Sequence, residues 1–400
     1  MKDIKLSIQI AMIFIGSIVG AGVCSGRELN QFFATYGIAG FIGLILCGIL
    51  YVFFSKMIIN ITDEYKVSSY DEFVDLVCPK WVAKFTNTVL TLFLFSSTSI
   101  ILAGSGSILY QYFGIPKWVG VVIMFIISSF FLLRNTEGLF EVNSFVVPTL
   151  MIVMTAIFIT YIKQNPYTFH IDYMRLIPRQ KTNLFTSTLV YVSFNILTII
   201  GVIVPLTNDI KKPKQIIRGV VLGSIVLTIL GMYITFLMLV NPFHPTMYEM
   251  PLLAVAMELK PILQMGMLAI MWLEMFSSQV SNVYSLSYYL KNRFKIEYNK
   301  GIFFVVLIAA PFSMVGFSKL VEVLYPMYGI LSLVFLAYCL IFMIKMKQSK
   351  ITQQQKKELQ EAVKKEVKEE VQKEVKKEVQ KDAKKRDKIE TSTKVKYSSR

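Results

Sequence analysis

The apolar residues of this chain neither alternate nor keep a short amphipathic period. They come in runs of about twenty, each closed by a polar or proline-containing stretch. A run of that length crosses the roughly 30 Å hydrocarbon core of a bilayer at about 1.5 Å per residue. Ten runs can be read, at residues 5–33, 38–60, 84–110, 117–134 and 143–162, then 184–206, 216–240, 262–290, 301–317 and 320–344. The pattern predicts an all-α integral membrane protein of about ten transmembrane helices. Residues 63–80 are polar, with Asp71, Glu72 and Asp75, and predict a short surface helix. Residues 241–261 carry Pro242, Pro245, Pro251 and Pro261 around an apolar patch, which predicts a re-entrant or capping element.

The first run is not uniform. Residues 16–26 read Gly-Ser-Ile-Val-Gly-Ala-Gly-Val-Cys-Ser-Gly, and each glycine inside a helix costs about 1 kcal/mol relative to alanine. One reading is a broken helix whose freed backbone binds a solute or ion. Such backbone is tolerated at membrane depth only where protein buries it or a cavity meets it. The other reading is a small-residue seam in an unbroken helix. The run at 184–206 contains Ser193, Asn195, Thr198, Gly201 and Pro205, so a second break is expected near residues 198–201. The polar stretch 163–183 divides the chain into two sets of five runs. Matching breaks in two such halves are the mark of inverted-repeat transporters. The expected organisation is a first repeat at 1–162, an extracellular connection at 163–183, a second repeat at 184–344 and a charged cytoplasmic tail at 345–400.

Composition agrees with the pattern. The chain is 54% hydrophobic and 17% charged, where soluble domains carry about a quarter charged residues. Its net charge of +16 comes mostly from the residues after Phe342, so the excess does not mark a nucleic-acid-binding core. Lysine and arginine in the connections favour cytoplasmic N- and C-termini in a multi-pass protein of the cell membrane, with residues 163–183 as the discordant loop. Lys2 and Lys5 precede an apolar run without a small-residue cleavage site, so this run reads as a span and not a signal peptide. Cys24, Cys47, Cys78 and Cys339 have no paired or ligand-like spacing, and His170 and His244 both fall in loops. Neither a disulfide framework nor a metal site is expected, no cofactor is implied, and no catalytic motif is present.

The segment Gly20-Ala21-Gly22-Val23-Cys24-Ser25-Gly26-Arg27-Glu28, with Gln31-Phe32-Phe33, resembles the Gly-Ala-Gly-Phe-Ala-Ser-Gly-Gln-Glu segment of the bacterial YkvI-type membrane proteins, a group read as permeases. Val23, Cys24 and Arg27 replace that group's Phe, Ala and Gln. Ten runs in two halves, a glycine-rich first run and an expected break in the sixth resemble the LeuT fold of the amino acid–polyamine–organocation superfamily. Residues 208–218, with Asp209, Lys211, Lys212 and Pro213, are similar to the segment that follows the sixth span of amino acid permeases. The resemblance covers residues 1–345 and implies cation-coupled transport of an amino acid.

Candidate site residues follow from the interruptions. Amides from Ala21 to Ser25 would accept a carboxylate, and carbonyls at Gly20 and Val23 would coordinate a cation. Gly20, Ala21, Gly22, Ser25 and Gly26 are therefore substrate-binding candidates, joined by Ser193, Asn195 and Thr198 of the sixth run. Interhelical hydrogen bonding is the competing explanation of those last three. In the third run, Ser97 belongs to a stripe of small polar residues that packing alone would also explain. Glu274, Ser277, Ser278 and Ser281 recur at helical spacing and share a face. In the LeuT fold this span supplies hydroxyls opposite first-span carbonyls, which implies a sodium site with Ser277 and Ser278. Glu274 is then a sodium ligand or a proton carrier, since a carboxylate within a span is expensive and by default functional. Glu28 is either a gating or proton-carrying acid or the partner of Arg27.

From residue 353 to 390 the chain is rich in Lys, Glu and Gln, with Leu359, Val363, Val367, Val371, Val375, Val379 and Ala383 every four residues. A strict period of four wraps around a helix, so an isolated charged helix is expected in preference to a coiled coil; a solvated tail is the alternative. Its basic excess would rest on anionic lipid headgroups. The partners expected are the bilayer and a small solute, with no nucleic acid. The function expected is sodium- or proton-coupled secondary transport of a small polar solute, an amino acid or related amine. The alternative is a non-transporting small-molecule receptor on the same fold.

Overall fold

The computed structural model describes residues 2–134 and 139–349, together with scattered positions between 355 and 368. The four-residue period and lipid contact expected of the tail lie outside the described residues. Contacts group the chain into Met1–Cys339, which holds the helical bundle, and Leu340–Arg400.

Helices occupy all ten of the expected segments. In chain order they are α1 (Lys2–Ile18), α2 (Ala21–Ser25), α3 (Arg27–Phe32), α4 (Ala39–Tyr65), α5 (Tyr70–Val77), α6 (Lys80–Phe113), α7 (Lys117–Arg134) and α8 (Leu139–Gln164). There follow α9 (Ile171–Leu176), α10 (Leu184–Ile210), α11 (Pro213–Val240), α12 (His244–Met247), α13 (Pro251–Met257), α14 (Pro261–Phe294) and α15 (Tyr298–Ser313). A last helix, α16, covers Phe317–Ser349. Among the described residues there is no strand. Among the described residues six helices are long and apolar enough to cross a membrane: α4, α6, α8 from Phe145, α10, α11 and α16. The first run fails that test because it is broken, and α14 is diluted by its own serines and asparagines. Apolar side chains such as Ile42, Ile45 and Ile49 of α4 and Phe145 and Ile152 of α8 stand exposed on the outside, as a lipid-facing surface requires.

The bundle has two groups of four. Helices α1, α4, α10 and α11 pack on one another, and α6, α7, α14 and α15 form the other group. Each group takes two consecutive spans from each half of the chain. Lipid tails give helices no hydrophobic reason to associate, so close packing over small residues has to do it. Gly219 and Gly223 of α11 show how. A Cβ at Gly219 would lie 2.6 Å from Ile10 of α1, and one at Gly223 would lie 2.8 Å from Phe14. α16 sits against α10 and α6, where Ser193 Oγ donates to the Gly329 carbonyl at 2.5 Å and Ser96 hydrogen-bonds the Tyr328 hydroxyl at 2.7 Å.

The break expected in the sixth span is absent: α10 is continuous from Leu184 to Ile210, with Pro205 inside it. Its polar residues bond within the same helix, Ser193 reaching α16 as well. Ser193 Oγ donates to the Val190 carbonyl, Asn195 Nδ2 to Tyr191, and Thr198 Oγ1 to Asn195. Side chains that bond their own preceding turn need no opened backbone.

The break in the first span is present. α1 ends at Ile18, Gly20 is extended at φ −137° and ψ −167°, and α2 runs for five residues before Gly26 turns the chain at φ +81°. Helix ends leave amides and carbonyls unpaired, so two ends meeting in mid-span expose both kinds of group. Gly26 is needed there because left-handed backbone costs an L-residue about 1–2 kcal/mol. A side chain would also press on Met238 and Leu252.

Candidate functional site

A cavity of about 920 Å³ lies between the two helix groups. One wall is the end of α1 and the break, from Gly16 to Ala21, with Phe194, Asn195, Leu197, Thr198, Gly201 and Val202 of α10. The facing wall is α6, including Asn87, Thr91 and Ser97, and α14, including Ser277, Ser278, Ser281, Asn282 and Ser285. Asn282 Nδ2 donates to Ser97 Oγ at 2.8 Å, tying that wall together. Of the third-run stripe, Ser97 meets the cavity, whereas Ser105 bonds the Gly120 carbonyl of α7 and serves packing.

The two ends of the cavity differ. Asp71, Ser281, Ser285 and Tyr289 are exposed, so the cavity opens on the side where α4 ends, α6 begins and α14 ends, which is the side of the N-terminus. Asp71 lies at this mouth, and partial burial together with the neighbouring Asp75 raises its carboxyl above the usual aspartate range. At the blind end are Phe93, Phe194, Tyr325 and Glu28. The Phe194 and Tyr325 rings stack at 5.1 Å, and Phe32, Tyr191 and Phe93 pack around Phe194.

Beyond that aromatic layer the far side is closed by Arg27. Its Nη1 donates to Glu322 Oε1 of α16 at 2.7 Å, and its Nη2 donates to the carbonyls of Pro245 at 2.8 Å and Tyr248 at 2.5 Å. Those carbonyls belong to the proline-rich connection, which folds as α12 and α13 and buries residues 252–256. The capping role expected of it is what the contacts give. Glu249 of the same connection pairs with Lys117 at 3.1 Å and accepts from Ser107 Oγ.

The pairing weighed between Arg27 and Glu28 is not formed, because Arg27 is taken by Glu322 and carbonyls on the far side. Glu28 points the other way, over α2, where a Cβ at Gly22 would collide with its carboxyl. It is 2% exposed, its Oε1 has no hydrogen-bond partner, and the phenol of Tyr191 interacts with it. Glycine at 22 is what lets a buried carboxylate lie against the backbone.

The other candidates separate by position. Gly20, Ala21, Ser97, Asn195, Thr198, Ser277, Ser278 and Glu28 line the cavity. Gly22, Ser25, Gly26, Val23 and Ser193 do not. Ser25 Oγ caps the break internally, donating to the Gly22 carbonyl at 2.8 Å and accepting from the Arg27 amide. The Val23 carbonyl accepts from the Gly26 amide, so it is committed to the turn. Ser193 is spent on Val190 and Gly329. Glu274, expected on the same face as the serines, lies one turn before the first of them to meet the cavity. It is fully buried near Cys24 of α2, and neither carboxyl oxygen has a hydrogen-bond partner. Among the described residues no group of three or more His, Cys, Asp or Glu is arranged to hold a metal ion.

Sequence reasoning missed the aromatic layer, Asp71 and Glu322. Glu322 had a signal, since an arginine in a span requires an acid from another helix. The aromatic layer had none, because Phe93, Phe194 and Tyr325 lie in different spans and read as ordinary membrane residues.

Comparison with known proteins agrees with this architecture. The chain is 27% identical over 333 residues to the uncharacterized membrane protein YkvI of Bacillus subtilis (strain 168), covering 82% of this chain and 93% of that protein. It is 24% identical over 336 residues to the uncharacterized protein YyaD of the same organism, covering 84% and 96%. No family model matches. Among solved structures it is similar to MhsT in complex with L-phenylalanine, with a TM-score of 0.60, 14% identity and coverage of 84% and 91%. It is similar to the inward-facing conformation of Mhp1, at 0.61, 13%, 84% and 75%. It is also similar to a substrate-bound outward-open Na+-coupled sialic acid symporter, at 0.58, 15%, 77% and 72%. The fold is therefore LeuT-like and the chain is a multi-pass α-helical membrane protein. The YkvI-type resemblance read from residues 20–33 extends over most of its length.

Proposed function

We propose that this chain is a secondary transporter that moves a small polar solute, an amino acid or a related amine, by alternating access. The observation that carries the reading is the cavity at the broken first span, open on the N-terminal side and closed on the other by the aromatic layer and Arg27–Glu322. A site that reaches water from one side only, between two helix groups able to rock, is what alternating access requires. Two fold neighbours, one solved in complex with L-phenylalanine and one a Na+-coupled sialic acid symporter, support solute and ion coupling on this fold.

In this reading the solute rests among Gly20, Ala21, Ser97, Asn195 and Thr198, and Asn195 offers both a donor and an acceptor. Coupling to sodium or protons is assigned to the space between α2 and α14, where Gly20, Ser277 and Ser278 meet the cavity and Glu274 lies just beyond it. With both termini in the cytoplasm of a cell-membrane protein, the cavity faces inward.

Uptake of labelled amino acids and amines into proteoliposomes, with sodium and proton gradients imposed in turn, tests the proposal. Saturable uptake accelerated by one gradient is expected. Uptake that is flat for every solute in every gradient contradicts it.

A further inference from the structure

We infer that the cavity selects a solute of net positive charge, an organic ammonium ion, with Glu28 as its counter-ion beneath the Phe194–Tyr325 stack. This rests on the transport reading above and narrows it.

The charge of the lining is one-sided. Of its residues, Glu28 and Asp71 are acids, and among the described residues that line it there is no lysine, arginine or histidine. A solute carboxylate entering this space meets no cationic partner, while an ammonium group meets an acid at the mouth and another at the blind end. Low-dielectric walls focus such a field and raise the local concentration of ions of the opposite sign.

Glu28 is only half satisfied by the fold. It is 2% exposed, the Tyr191 phenol hydrogen-bonds its carboxylate, and Oε1 has no protein partner. Its neighbour Arg27, the nearest cation in sequence, is held by Glu322 and the Pro245 and Tyr248 carbonyls on the far side of the aromatic layer. Burying a carboxylate oxygen without a partner is costly until a partner or a proton arrives. Tyr325 and Tyr191 lie beside it, with Phe194 packed on both rings, and aromatic faces attract ammonium ions. An acid with aromatic neighbours and no base is a cation site. It also explains Gly22, whose missing side chain makes room for the Glu28 carboxyl.

The helix ends at the break do not offset this. α2 is five residues long, too few aligned peptides for a strong positive end, and Gly22 and Ser25 stand away from the cavity.

The test uses purified full-length protein and three four-carbon probes: n-butylammonium, γ-aminobutyrate as the zwitterion and butyrate as the anion. Titration calorimetry is expected to show butylammonium binding at least tenfold tighter than either of the others. Glu28→Gln is expected to lower that affinity by tenfold or more while melting like the parent protein, and Phe194→Leu to lower it severalfold. Tighter binding of the zwitterion or the anion overturns the inference, as does absence of butylammonium binding to the parent protein. Proteoliposome flux separates this failure from that of the transport reading. Flux of butyrate or γ-aminobutyrate without flux of butylammonium sinks the charge assignment and leaves transport standing, whereas no flux of any probe counts against both.

Discussion

Arg27 Nη1 lies 2.7 Å from Glu322 Oε1, and this pair joins the first span to the last across the closed end of the cavity. The two partners are unequal. The Arg27 side chain is 7% exposed and that of Glu322 is 50% exposed. Removing the arginine also strands the Pro245 and Tyr248 carbonyls, whereas removing the acid leaves those two bonds in place. Arg27→Ala should therefore cost about 2–4 kcal/mol and Glu322→Gln no more than about 1 kcal/mol. Chemical denaturation of both variants checks the asymmetry; equal losses would mean that the ion pair, and not the carbonyl cage, holds this end.

Gly22 and Gly26 make separable demands. At Gly26 the backbone itself is left-handed, so Gly26→Ala should destabilise by about 1–2 kcal/mol through strain, with a further cost from Met238. At Gly22 the backbone is helical and the conflict is with the Glu28 carboxyl and the Tyr325 ring. Gly22→Ala should displace both Glu28 and the Tyr325 ring, so it should lower solute affinity in the parent and, by less, in the Glu28→Gln background. Binding titrations on the three variants decide it.

The Ser97–Asn282 hydrogen bond ties α6 to α14 on the cavity wall. Asn282→Ala leaves Ser97 with water in its place, so fold stability should change by less than about 1.5 kcal/mol. Apparent solute affinity should fall severalfold, because the wall loses a fixed polar point. A variant with parental uptake kinetics would show that this pair is packing only.

Asp71 gives a pH dependence of defined sign. Its carboxyl is raised in the folded protein, by burial and by Asp75, above the ordinary value of 3.8. A raised carboxyl favours folding when neutral, a contribution that is full below the ordinary value and lost as pH rises through the folded one. Asp71→Asn should therefore raise the melting temperature at neutral pH, with the difference shrinking on acidification. Glu72, on the same short helix, runs the opposite way. Hydrogen bonds from Ser68 hold it low, so its contribution is present above the ordinary glutamate range and lost as pH falls. Melting curves of Asp71→Asn and Glu72→Gln across pH 4–8 should diverge in these two senses.

The sequence made much of this legible and for identifiable reasons. Ten apolar runs locate the helices because bilayer thickness sets their length, and Gly16, Gly20, Gly22 and Gly26 mark the break because no helix keeps so many at so little cost. Ser193, Asn195 and Thr198 misled because polar residues in a span signal either opened backbone or self-bonded helix, and only geometry tells them apart. Glu28 and Arg27, adjacent in sequence, serve opposite sides of one aromatic layer. That division arises from the turn at Gly26, which composition does not reveal.

Alternating access requires that one cavity reach water from each side in turn. Ser278→Cys, in a background with the four native cysteines replaced, places a single thiol on the cavity wall. A membrane-impermeant maleimide can then be added to either face of sealed vesicles. The account predicts labelling from both faces, faster from the N-terminal side, and predicts that Arg27→Ala speeds the opposite face while slowing the N-terminal one. Rates that rise together on both faces would describe a channel, and a far-face rate of zero in both proteins would contradict alternating access.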